Sequence, residues 1–303
     1  MRAAALSVDL DPLEGYRRLY GIPGAPPGAD PVYGRASERF GDLCAGLGIR
    51  GTVFAVGESL ADPAAAVAVR RLAGAGHEVA NHSYSHDYAL TRRAPAEIAS
   101  EVRRGGEAIQ AVAGRAPTGF RAPGYTISAA LLAELSAQGY RYDSSALPAA
   151  PYFAAKAAAL ALLALAGRRS QAILDRPRAV LAPNRPYRPS WKEPYARGDL
   201  RLVELPVTAG RLGIPLVGTF LAALPAAAAR ALLAGKGALP LFNLELHGMD
   251  FLDRSDVPGE LGRWQPGLGT SAAVKVSRLE ALLRSIGREW LTLEDAAARL
   301  APT

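Results

Sequence analysis

Strand-like and helix-like segments alternate along most of this 303-residue chain, and that alternation restricts the fold more than any other feature. Ala3 to Val8 is strand-like, and Tyr33 to Leu47 carries helical apolar spacing. Gly51 to Val56 is a short apolar run, Pro63 to Ala73 is helical, and His77 to Ala80 is strand-like again. The pattern continues with a long helix from Ala94 to Val112, which has Pro95 at its first turn. Thr118 to Arg121, Ala129 to Gln138 and Tyr140 to Tyr142 repeat it. Then come Leu202 to Pro206, the helix Pro225 to Leu233, the strand Pro240 to His247, the helix Ser271 to Ile286, and a last strand–helix pair from Glu289 to Leu300. About seven β–α units in a row predict an α/β fold whose parallel strands close into a barrel. One barrel of this length is commoner than two domains, so residues 1–303 read as a single domain. In such barrels the chemistry gathers at the C-terminal ends of the strands. Asp9 and Asp11, the pair His82 and His86, Arg121, Asp143 and His247 each fall just past a proposed strand, so five independent placements agree on one face.

Two connections are too long for plain loops. The first runs from Asp11 to Pro31, with Tyr16, Tyr20 and six glycine or proline residues from Gly21 to Gly28; loops of that length inside a domain are usually functional. The second, an insertion over 147–200 near the active-site face, opens with an apolar helix-like stretch from Tyr152 to Ala166. It passes Arg168 and Arg169 into a Pro/Arg/Tyr-rich run from Arg185 to Tyr195. With about 15 residues and Lys156 inside it, the apolar part is short for a membrane span. A third apolar stretch, Ile214 to Ala234, is interrupted by Pro215, Gly218 and Pro225. No internal repeat is visible.

Half the residues are apolar and 21% are charged, as in ordinary soluble globular proteins. The lone Cys44 excludes an internal disulfide and sits in an apolar, core-like context. The chain passes almost at once into a strand, which leaves no room for a signal peptide and makes the cytoplasm the expected compartment. A net charge of +7 suits anionic partners or a solvated arginine-rich surface, but no basic run is interleaved with aromatics, so nucleic acid is not expected as a partner.

The residues with the most chemical content are Asn81-His82-Ser83-Tyr84-Ser85-His86. Histidines four apart would share one side of a helical turn, and both imidazoles could then reach one metal ion. A carboxylate from another strand would complete a three-ligand set with positions left open for water, which is the mark of a catalytic metal site. Alternate residues of a strand face the same side, so Asp9 and Asp11 can both turn toward that ion.

Ser7-Val8-Asp9-Leu10-Asp11, the His82–His86 element, Phe120-Arg121-Ala122-Pro123-Gly124-Tyr125 and Leu244-Glu245-Leu246-His247 resemble, in order, four motifs of the NodB-homology polysaccharide deacetylases, carbohydrate esterase family 4. Tyr142-Asp143-Ser144-Ser145 is a weaker match to the remaining one. The resemblance implies a distorted (β/α)7 barrel, one divalent metal, and hydrolysis of N-acyl groups from amino sugars. It implies Asp11, His82 and His86 as metal ligands, and Asp9 as general base. With one residue between the two aspartates, their roles could also be exchanged. Arg121 would hold the base, His247 would protonate the leaving amine, and Leu246 would line the pocket for the acyl methyl. Asp143 would tune or orient His247, although the motif lacks its expected tryptophan. Gly124 stands where the family usually has tyrosine, and Tyr125 follows it at the substrate. His77 matches a structural position. Zinc is the expected ion, with cobalt, nickel or iron also suited to these ligands.

The missing export signal, the basic surface and the apolar insertion resemble the branch acting on lipid-linked amino sugars. In that reading the apolar helix ending in Arg168 and Arg169 would rest peripherally on the inner face of a membrane. The same helix could equally be a buried barrel helix. Other readings are a cytosolic small-amide hydrolase of the allantoinase-like kind and a non-catalytic carbohydrate-binding relative. Asp9, Asp11, His82, His86 and His247 all being present argues against the last.

Overall fold

The computed structural model describes residues 2–23, 28–257 and 259–301. Its strands are β1 Ala3–Leu10, β2 Thr52–Ala55, β3 Glu78–Asn81, β4 Gly119–Phe120, β5 Tyr142–Asp143, β6 Val203–Glu204, β7 Leu241–His247 and β8 Glu289–Leu291. All are parallel neighbours in one sheet of order β6-β5-β4-β3-β2-β1-β7, with β8 paired to the first half of β1. The helices are α1 Leu13–Leu19, α2 Ser37–Leu47, α3 Pro63–Gly74, α4 Pro95–Ala113, α5 Ala129–Ala137 and α6 Ala150–Leu165. They continue with α7 Gly218–Leu221, α8 Ala226–Leu232, α9 Leu261–Trp264, α10 Ala272–Arg284 and α11 Leu293–Leu300. The expected distorted (β/α)7 barrel is therefore the fold. The gap between β6 and β7 is closed by irregular chain. The Thr208 amide donates to the Asn243 carbonyl (3.0 Å), and the Glu245 amide to the Leu216 carbonyl (3.0 Å).

Local chemistry explains the boundaries. Asp62 and Ser128 accept backbone N–H groups at the starts of α3 and α5, and Ser271 and Thr292 do the same for α10 and α11. Gly48 and Gly114 end α2 and α4 in the left-handed conformation that glycine takes without strain. The first long connection begins with α1; its residues 24–27 lie outside the described residues. The second holds α6 and the short 3-10 turn Pro177–Leu181. Among the described residues no helix is long and apolar enough to cross a membrane.

All eight residues of β1 are buried, as befits a central parallel strand covered on both faces. Leu6, Val8 and Leu10, with Phe242, Leu244 and Leu246 of β7, pack outward on Phe40, Val69, Leu72 and Leu279 of the helices. The alternate residues face the barrel interior. At its lower end Ala3, Ala5, Phe54, Ala80, Tyr142 and Leu241 form an apolar plug with Leu293 and Ala296 of α11. Above them, Ser7, Asp9, Asn243 and Glu245 replace apolar side chains on the same inward rows of β1 and β7. The interior thus grades from apolar floor to charged mouth. Three expectations shift slightly: Asp9, Asp143 and His247 lie inside β1, β5 and β7 rather than past them, because backbone pairing continues through all three positions. Cys44 is buried in the core, and His77 is structural, its Nδ1 accepting the Gly51 amide at 2.9 Å.

Tyr142 crosses directly over Gly119, where an added Cβ would come within 1.9 Å of the phenol ring. Overpacking of that kind costs about 1–3 kcal/mol, so Gly119→Ala should lower the unfolding free energy by about that much in denaturant titrations. Gly46, on the exposed side of α2 with no atom within 4 Å of an added Cβ, should behave oppositely, Gly46→Ala raising stability by about 0.5–1 kcal/mol. Equal effects of the two changes would contradict this packing.

Candidate active site

The segment after β3 is a loop, not the helical turn expected from the histidine spacing. Ser83 and His86 have left-handed backbones, φ 66° and 56°. Short polar residues bond locally here instead of propagating a helix. Ser83 Oγ accepts the His86 amide (3.1 Å), and Glu101 Oε2 accepts the amides of Tyr84 (3.2 Å) and Ser85 (2.9 Å). The surroundings hold a strained backbone in place, as functional loops often require. Both imidazoles still converge. His82 Nε2 and His86 Nε2 each lie 3.1 Å from Oδ1 of Asp11, the residue just past the end of β1.

These atoms are close, yet Asp11 Oδ1 and His86 Nε2 have no hydrogen-bond partner among the described residues although both are buried. Buried polar atoms are rarely left so. Ligands of one cation held at about 2.0–2.2 Å sit roughly 3 Å apart when they subtend near-right angles. His82 Nδ1 lies 2.7 Å from the Arg121 carbonyl, which can only accept, so the proton is on Nδ1 and the Nε2 lone pair faces Asp11. Burial lowers the His86 pKa below its ordinary value and favours the neutral ring that a metal needs. At His82 burial is outweighed by Asp9 and Asp11, which raise it; a cation would take that proton's place. The Asp11–His82–His86 set therefore fits a divalent metal.

Asp9 sits beside this set, Oδ2 3.7 Å from His82 Nε2, but its other oxygen is taken by Arg121 Nη1 at 2.5 Å. Arg121 is fully buried. Its guanidinium also donates to Ser7 Oγ, the Ser144 carbonyl and Ser144 Oγ, and stacks on Phe54 with the Cζ 4.1 Å from the ring centroid. Burial raises the Asp9 pKa against the opposing pull of Arg121 and His82.

His247 closes β7, with Nε2 3.8 Å from Asp11 Oδ2 and Nδ1 3.0 Å from Glu245 Oε1. Burial would lower its pKa, but Glu245 first, then Asp11 and Asp9, raise it well above the ordinary histidine value. Tyr125 donates to the other Glu245 oxygen at 2.7 Å. Glu245 is the residue that sequence reasoning passed over. Its signal was a carboxylate in the middle of an apolar strand, two residues before the histidine and so on the same face. Asp143, expected to orient His247, does something else: it accepts from Ser145 Oγ (2.7 Å) and shares a buried contact with Glu204. Among the described residues no contact joins it to His247. Leu246 is also displaced from its expected role. Alternation turns it into the helix layer, away from the pocket that His247 lines. Asp250 accepts the His247 amide (2.8 Å) in space left by Gly218, where an added Cβ would lie 1.7 Å from Asp250 Oδ2.

Asp9, Asp11, His82 and His247 line one end of a cavity of about 290 Å³. Tyr16, Tyr88, Tyr125 and Tyr152 line it too, and α6 forms one wall, with Lys156 donating to the Gly124 carbonyl at 3.2 Å. Asp9, Glu245 and His247 also approach within 4.8 Å of one another. That second group does not fit a cation, because Arg121 already neutralises Asp9 and the two Glu245 oxygens face the Tyr125 hydroxyl and His247 Nδ1.

A family model described as polysaccharide deacetylase matches residues 30–142, which take in the His82–His86 loop and Arg121. No protein of curated function matches the chain. Among solved structures, a candidate polysaccharide deacetylase from Mycobacterium smegmatis aligns over 98% of this chain and 89% of its own, at 19% identity and a TM-score of 0.60. A family 4 acetyl xylan esterase from Clostridium thermocellum, in complex with a cobalt ion, aligns over 99% and 93%, at 19% identity and a TM-score of 0.50. A carbohydrate esterase family 4 pseudoenzyme from Bacillus anthracis aligns over 100% and 67%, at 9% identity and a TM-score of 0.50. The motif resemblance thus holds in a family model over 30–142, and the likeness of fold extends over the whole length.

The chain loaded with zinc should carry one ion, measured by equilibrium dialysis with elemental analysis, and His82→Ala or His86→Ala should abolish stoichiometric binding. Gly15→Ala should weaken it roughly tenfold, because an added Cβ would sit 3.2 Å from His86 Nδ1. Tight one-to-one binding by the double histidine variant would move the ion elsewhere.

Proposed function

We propose that this chain is a metal-dependent hydrolase that removes an acetyl or formyl group from the nitrogen of an amino sugar, with zinc as the ion and cobalt, nickel or iron as workable substitutes. The substrate we infer is an amino sugar carried on a lipid or another cell-envelope component. The observation that carries the reading is the grouping at one cavity end: a three-ligand set, Asp9 against His82, and His247 against Asp11. Since a pseudoenzyme shares this fold, the argument rests on these residues.

A divalent ion bound there would supply Lewis acidity, polarising the amide carbonyl and acidifying water. Asp9 takes the proton of the attacking water on Oδ2, because Oδ1 is committed to Arg121. Its burial makes it a stronger proton acceptor than an exposed carboxylate. The same ion pair supports Asp9 as base and Asp11 as ligand over the exchanged assignment, since a carboxylate neutralised by arginine is a poor metal ligand. His247, kept protonated by Glu245, gives its Nε2 proton to the leaving amine. Tyr125 fixes Glu245 and forms the cavity wall beside His247, 6.3 Å between ring centroids. At about 290 Å³, with mostly apolar walls, the cavity is at the small end for ligand sites and suits one sugar with an apolar neighbour.

Asp9→Asn should keep metal and fold while lowering kcat about a hundredfold or more, whereas Asp11→Asn should lose the metal. The reverse result would exchange the two roles. Glu245→Gln removes the charge that raises the His247 pKa, so the alkaline limb of the kcat–pH profile should move to lower pH. An unmoved limb would deny Glu245 this part. The reaction itself is tested by incubating metal-loaded protein with soluble and polyprenyl-linked N-acyl sugars and measuring the carboxylic acid released. No acid from any of them, with soluble small amides cleaved instead, would overturn the reading.

A further inference from the structure

Helix α6 is unusual for a helix at a protein surface. Every side chain in Ala150–Leu165 is apolar except Lys156, and Lys156 turns inward to the Gly124 carbonyl. Tyr152, Ala155, Ala159, Leu160 and Leu163 line the cavity on the same inner side. Only Leu163 is buried, while Leu162 and Leu165 are 67% and 86% exposed. A helix lying on a soluble core normally turns a polar face outward. This one turns out alanine and leucine, without a charge. Gly213 lies against Pro151 at its start, which sets the 80%-exposed Leu212 beside it. Arg211 precedes that leucine and Arg169 follows the helix, both exposed, whereas Arg168 is turned to Glu260, the Tyr20 carbonyl and Trp264. An apolar face bracketed by arginines therefore runs along the outside of the cavity wall.

We propose that this face docks on an anionic membrane surface, the helix lying in the interface plane with Leu162, Leu165 and Leu212 in the lipid and the arginines against headgroup charge. Sixteen residues make about 24 Å of helix, short of the roughly 30 Å hydrocarbon core, so the helix lies on the bilayer and does not cross it. Charge selects the occupant. A second copy would bring the same arginines and another net +7 into contact, whereas anionic lipid complements them. The inference deepens the proposed function, since it brings the wall of the cavity to where a lipid-carried amino sugar resides. The docking itself can be measured without any turnover.

The full chain is floated with phosphatidylcholine vesicles, alone or mixed with phosphatidylglycerol, at low and high salt. Binding is expected only with the anionic mixture and should weaken as salt rises. Leu162→Ser with Leu165→Ser, both on the exposed side, should cut the bound fraction roughly tenfold while the circular dichroism melt and soluble N-acyl sugar turnover stay unchanged. Arg169→Glu with Arg211→Glu should remove the salt dependence along with most binding. A wild type that fails to float with anionic vesicles overturns the docking, as does full binding by the leucine variant. So does a concentration-dependent dimer that the leucine changes abolish. Vesicle binding without cleavage of any N-acyl sugar would leave the docking standing and remove the proposed reaction.

Discussion

The arrangement at the barrel mouth depends on one buried ion pair, Arg121 with Asp9. A guanidinium with no solvent contact must have its charge and its N–H groups satisfied from within. Here that demand draws Asp9, Ser7 and Ser144 around it and lays it on Phe54. Removing one partner of such a pair costs about 3–5 kcal/mol, because the other charge is left buried and alone. The pair also divides labour between two carboxylates only one residue apart. Asp9 is neutralised and turned aside, and Asp11 is left for the histidines. Asp143 enters the same structure indirectly. It holds Ser145, whose Oγ accepts the Ala122 amide, while neighbouring Ser144 binds Arg121. The acid that was expected beside His247 serves the arginine loop instead.

Most of the fold was legible because parallel barrels repeat a simple pattern. Apolar runs such as Ala3 to Val8 are buried on both faces, and capped helices lie between them. The shared location of Asp9, Asp11, His82, Arg121 and His247 followed from strand order alone. What was not legible depended on local backbone and side-chain direction. Spacing of four suggested helix for His82 and His86, but backbone amides donating to Ser83 and Glu101 make a strained loop that achieves the same convergence. Leu246 sits next to a functional histidine in sequence, but alternation sends it to the other face of β7. Glu245 was hidden inside a quoted motif because nothing in a one-dimensional reading says which neighbour a histidine's second nitrogen will meet.

The likeness to solved structures at 19% identity carries the fold and leaves the chemistry to the residues. The family model covers the histidine loop and Arg121 but stops at residue 142, short of β7. Around His247 the structure adds a contact that the motifs did not point to. Glu245, on the histidine's own strand, lies 3.0 Å from His247 Nδ1, and Tyr125 from the β4 loop donates to its other oxygen.

Helix α6 meets the rest of the barrel mainly through apolar contacts, with one edge-to-face ring contact between Tyr152 and Tyr125. Among the described residues its one side-chain hydrogen bond outside the helix is from Lys156 to the Gly124 carbonyl. The wall therefore rests on one hydrogen bond and one ring contact, Tyr152 meeting Tyr125 edge to face with centroids 5.6 Å apart. Both attachments reach the same short stretch, since Gly124 directly precedes Tyr125, whose hydroxyl donates to Glu245. The wall and the Glu245–His247 pair share that point of support, so changes at Lys156 and at Tyr125 should not add independently.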